Sequence, residues 1–139
     1  MSNVKSELSK KNKYWIDKHR YYELKHFCLQ YPCWKVAYNS IDGLEALKNE
    51  IGGASQYSRS NYNPTEKYAS MRLYLAEKME LIEQCCLDTD PVIGNYILKA
   101  VTKGLSYDTL RMQYDIPCCR DIYYDLYRKF FWILSQRKR

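Results

Sequence analysis

The sequence predicts an all-α protein, a helical bundle that ends in a C-terminal helix-turn-helix. Apolar residues recur at helical spacing through every long segment, and no stretch alternates in the way a strand would. The segments are also bounded by Pro, Gly and capping side chains at positions where helices start and stop.

The first helix is expected from about Ser9 to Leu29, with Tyr14, Trp15, Tyr21, Tyr22, Leu24, Phe27 and Cys28 at its apolar positions. Tyr31-Pro32 interrupts it, because the residue before a proline is pushed out of the helical region. Pro32 then opens a second helix as its first residue, running from about Cys33 to Lys48 through Trp34, Val36, Ala37, Tyr38, Ile41, Leu44 and Leu47. Gly43 weakens that helix without forbidding it. The segment Ile51 to Asn63, IGGASQYSRSNYN, has no apolar period and reads as a flexible linker. The chain is thus divided into an N-terminal helical hairpin (1–50), a linker (51–63) and a helical domain (64–139).

Asn63, Pro64 and Glu66 form a start signal resembling a capping box. They lead into a long helix to about Leu87 that carries Met71, Leu73, Leu75, Met79, Leu81, Ile82 and Cys86. Asp90-Pro91 repeats the device of an acidic cap followed by Pro. The helix it opens holds Val92, Ile93, Ile97, Leu98 and Val101 and stops at Gly104. Ser106 caps a short helix, Tyr107 to about Tyr114. Asp115-Ile116-Pro117 is a tight turn, and a final helix runs from Cys118 to about Ser135.

Composition narrows the function classes. Tyr accounts for 15 residues and Phe for 3, and phenols favour core edges and interfaces where the hydroxyl finds a partner. The net charge of +6 is unevenly spread. Residues 1–26 hold seven bases against three acids, residues 128–139 hold five bases and no acid, and Pro64 to Asp90 holds six acids and three bases. The opening MSNVKSELSKKNK has no apolar targeting core, and no apolar run reaches the ~20 residues of a membrane span. The six cysteines include the vicinal pairs Cys85–Cys86 and Cys118–Cys119, and read as reduced thiols in a cytoplasmic protein. His19, His26, Cys28 and Cys33 lack a zinc-ligand spacing, so no metal is expected. There is no phosphate loop, nucleophile elbow or carboxylate pair, so no enzymatic activity and no cofactor are expected either.

The last three helices have helix-turn-helix proportions, in which the final helix enters the major groove with its N-terminal half. With Ile122 taken as the inward reference at about 100° per residue, Leu126, Phe130 and Ile133 share its side. Arg120, Tyr124, Tyr127 and Arg128 then face outward toward bases and phosphates, with Arg111 and the basic tail Arg137, Lys138 and Arg139 near the backbone. The first helix, KKNKYWIDKHRYYELKHF, also interleaves bases with aromatics, though core packing accounts for its rings.

The runs PTEKYASMRLYLAEKMELIEQCC and ILKAVTKGLSYDTLRMQYDIPCCRDIYYDLYRKFFWILSQRK resemble small phage and prophage late-gene transcriptional regulators of the ArpU/RinA type. The C-terminal part of those regulators is similar to the helix-turn-helix of sigma-factor region 4. The resemblance spans Asn63 to the C-terminus and rests on Gly104 to Tyr107, the Ile116-Pro117 turn and the Tyr123-Tyr124 pair. Sigma-like helices usually carry Gly at the turn, where this chain has Asp115. The resemblance implies a transcriptional regulator that binds double-stranded DNA, with RNA polymerase as a further partner and a homodimer as the form that reads a two-fold site. The alternative is a phage-encoded module or inhibitor that uses the same fold to bind a host protein.

Overall fold

The computed structural model describes residues 12–51 and 64–139 and is all-helical there, with no strand among the described residues. In chain order the helices are α1 (Lys18–Leu29), α2 (Tyr31–Ile51), α3 (Pro64–Thr89), α4 (Gly94–Lys103), α5 (Tyr107–Tyr114) and α6 (Arg120–Arg137). The Asn63 cap and residues 52–63 of the expected linker lie outside the described residues.

The first helix starts later than its apolar pattern predicts. The side chain of Asn12 accepts from the Tyr14 amide at 2.8 Å, and the Trp15 amide donates to the Asn12 carbonyl. Asp17, in extended backbone, then caps α1 by accepting from the His19 amide at 2.9 Å. Short polar side chains that satisfy nearby amides compete with the helix in this way. At the other end Gln30 alone separates α1 from α2. Pro32 cannot continue α1, because its ring would meet a carbonyl of the preceding turn. The break costs little, since the Gln30 amide still donates to Phe27 and the Trp34 amide donates to the Gln30 carbonyl.

Asp90 acts as the sequence leads one to expect, with one shift. Its carboxylate accepts from the amides of Val92 at 2.9 Å and Ile93 at 2.8 Å. The residues between form a turn, so regular helix begins at Gly94 rather than Pro91. Gly94 is required by contact: a Cβ there would overlap the backbone carbonyl of Cys86 on α3.

A single apolar core takes residues from every helix. Tyr21, Leu24, Phe27 and Cys28 come from α1, Trp34 from α2, Ile82, Cys85 and Cys86 from α3, and Ile97, Ala100 and Val101 from α4. Leu110 of α5 and Tyr123, Phe130, Phe131 and Leu134 of α6 complete it. The three- and four-residue steps within each set define one face per helix, and burying each large apolar side chain contributes about 1.5–3 kcal/mol. α1 thereby lies against α6, where the Tyr21 ring meets Phe131 edge-on at 5.1 Å.

Candidate nucleic-acid interface

The α4–α5–α6 corner is fixed by local chemistry. Gly104 ends α4 in the left-handed conformation, φ 70°, where its amide reaches the Ala100 carbonyl. Ser106 caps α5, its hydroxyl accepting from the Thr109 amide at 3.2 Å. Asp115 ends α5 with φ 52°, and it is the non-glycine residue with positive φ among those described. Asp can occupy this region because its short side chain tolerates it better than a branched one. The turn therefore closes without the glycine that sigma-like turns carry. The Tyr107 hydroxyl donates to the Cys118 carbonyl at 2.6 Å, fastening the start of α5 to the approach of α6.

The face assignment made for the last helix needs correction. Ile122 is 52% exposed, so it is not the inward reference. The inner face runs through Tyr123, Tyr127, Phe130, Phe131 and Leu134 instead. Tyr127, expected to point outward, turns into the structure and shares a 3.1 Å hydrogen bond with the Tyr21 hydroxyl. Tyr124 is half-buried against Tyr107, Tyr123 and Tyr127. The physical reason is that phenol rings bury a large apolar area against one another, so they can fill a core face that hydropathy alone would give to Ile.

The basic candidates divide into two groups. Arg111 on α5 and Arg120 at the first turn of α6 are both exposed. Arg120 pairs with Asp108 at 2.6 Å, and its guanidinium lies 5.4 Å from the Tyr107 ring centroid. Arg128 is only 17% exposed and pairs with Asp125 at 2.9 Å, while its Nε is buried without a partner. The tail is tied back to the bundle. Arg137 pairs with Asp88 of α3 at 2.6 Å. The Lys138 ammonium lies 4.8 Å from the Phe27 ring centroid, and the Lys138 carbonyl accepts from Arg20 at 2.5 Å. Arg139 is exposed.

Charge at the corner is mixed. Asp108, Asp115, Asp121 and Asp125 are exposed along α5, the turn and α6, and Asp108 pairs with Arg120. Two large apolar side chains of α5 and α6 also stand in solvent, Met112 at 86% and Ile122 at 52% exposure.

Behind α6 lies a feature that sequence reasoning missed. A cavity of 190 Å³ opens between α1, the C-terminal end of α4 and α6. Lys25 and Leu29 form one wall, Val101 and Gly104 another, and Tyr124 and Tyr127 a third. Burial pushes the Tyr127 phenol well above its ordinary value, with the nearby Tyr21 adding to the effect. Burial raises Tyr123 as well. Burial also raises the thiols of Cys28 and Cys86, so these cysteines are buried, neutral side chains rather than nucleophiles.

Among the described residues no group of three or more His, Cys, Asp or Glu is placed to hold a metal ion. No helix there is long and apolar enough to cross a membrane. Compared with protein-family models, curated proteins and solved structures, the chain matches none.

Proposed function

We propose that the protein binds duplex DNA through α4, α5 and α6 acting as a helix-turn-helix, with α6 entering the major groove by its N-terminal end. The observation that carries this reading is the α5–α6 corner. A left-handed Asp115 ends α5 and turns the chain into α6, and Arg111 of α5 and Arg120 of the first turn of α6 are both exposed. The second half of α6 is anchored by Phe130, Phe131 and Leu134, which is how a helix is held while its tip is offered to a groove. A role in transcription, with RNA polymerase and a second copy of the chain as partners, follows from the sequence resemblance to late-gene regulators.

A second reading, a protein-binding module, is favoured by exposed Met112 and Ile122 and by the carboxylates that pair Arg120 and Arg128. Apolar side chains ringed by opposed charges suit a protein surface better than a phosphate backbone. Fluorescence anisotropy on random duplex DNA across a salt series separates the two. Counterion release makes DNA affinity fall linearly in log–log form with salt, and Arg111→Ala with Arg120→Ala should weaken binding and flatten that slope. Absence of salt-dependent binding would leave the protein-binding reading, in which Met112→Ser and Ile122→Ser disrupt partner capture.

A further inference from the structure

We infer that the cavity behind α6 is a binding site for a small monocyclic aromatic carboxylate. Its volume of 190 Å³ exceeds the ~150 Å³ of an apolar protein cavity that admits benzene, leaving room for one ring and a small polar group. The interior suits a ring: Leu29 and Val101 are aliphatic, and α6 contributes a run of aromatics. Tyr124 and Tyr127 stand 6.0 Å apart and Tyr127 and Phe131 4.9 Å apart, so a bound ring would add to an existing set of tilted and edge-on contacts.

Charge selects the acid. Lys25 lines the cavity, and its ammonium lies 6.0 Å from the Tyr22 ring centroid, with no ion pair to any of the described residues. A half-buried lysine with no carboxylate partner among the described residues, beside an aromatic-lined cavity, is matched by an anion on an apolar body. Tyr123 adds unmet hydrogen-bonding capacity. It is 1% exposed, and its hydroxyl has no partner although the residue forms part of the cavity wall. That hydroxyl is shielded in this structure, so a polar group on the ligand ring reaches it only after a shift of the whole Tyr123 side chain. The site does not depend on what α6 contacts. An occupant would nonetheless touch α1, the Gly104 corner and α6 together.

The test titrates benzoate, 4-hydroxybenzoate and the neutral benzamide into the full-length protein, followed by methyl NMR. Saturable shifts at the methyls of Leu29, Val101 and Leu105 with both acids, and affinity for benzamide lower by about tenfold, support the site. Lys25→Met, a change at a partly exposed position, should weaken benzoate by about tenfold and leave benzamide unchanged. Methyl shifts that are absent, or scattered away from the cavity, overturn the proposal. Equal affinity of benzoate for the wild-type protein and Lys25→Met overturns it too.

Discussion

The hydroxyls of Tyr21 on α1 and Tyr127 on α6 lie 3.1 Å apart, joining residues 106 positions apart in the chain. Either oxygen can donate, and the pair sits beside the Phe131 ring, which packs against both tyrosines. The bond therefore fixes how α1 lies on α6, from inside the bundle.

Removing either hydroxyl removes this bond between α1 and α6. Tyr127→Phe should destabilise the protein by about 1 kcal/mol, and Tyr21→Phe by a similar amount. The double variant should lose less than the sum, because the two changes remove the same bond. Urea denaturation of the four proteins measures the coupling, and strict additivity would mean that the bond contributes nothing.

Asp115 sets the α5–α6 turn with φ 52°. Asp115→Gly and Asp115→Asn should change stability by no more than about 0.5 kcal/mol, because both residues accept the left-handed region. Asp115→Val should cost about 1–2 kcal/mol, since a branched side chain resists it. Thermal unfolding of the three variants gives the order.

Two glycines differ in the reason they are needed. Gly94 faces the Cys86 carbonyl, so Gly94→Ala should force α3 and α4 apart at a cost of about 2–3 kcal/mol. At Gly104 an added Cβ would make an ordinary 3.6 Å contact with Leu29, leaving only the strain of φ 70°. Gly104→Ala should cost about 1 kcal/mol. Chemical denaturation of the two alanine variants should rank Gly94→Ala as the more damaging.

Acid should loosen the surface of the bundle. Arg137 holds the Asp88 carboxyl below its ordinary value of 3.8 by hydrogen bonding, and Arg20 does the same for Glu23 against an ordinary 4.5. Because both values are lowered by folding, the contribution is complete above those ordinary values and fades as pH falls through the lowered ones. Asp88→Asn and Glu23→Gln should each lower Tm slightly on the neutral plateau, leave it unchanged at the acid end, and so flatten the limb between.

Elements bounded by punctuation were legible in the sequence. Gly104, Ser106 and the Asp115 turn delimit α5 at Tyr107–Tyr114, as read from residue type alone, because each acts on atoms within a few positions. The facing of α6 was not legible. Counting from Ile122 put the helix in the wrong phase, since hydropathy ranks Ile above Tyr while Tyr123 and Tyr127 hold the inner positions. The fate of the tail was hidden as well: Arg137 meets Asp88, and Lys138 meets Phe27 and Arg20, through contacts between distant segments. The cavity could not be anticipated, because its walls come from three segments that meet only in the folded chain.

The buried phenols also make the protein its own optical gauge in alkali. Burial raises Tyr21, Tyr123 and Tyr127 above the ordinary value of 10.0. The stability they confer is therefore intact below that value and drains away as pH climbs beyond it. These enclosed phenols shed their protons when α1 and α6 come apart. The phenolate ultraviolet signal of these residues should accordingly appear as an abrupt step, which would time the opening of the bundle without any added dye.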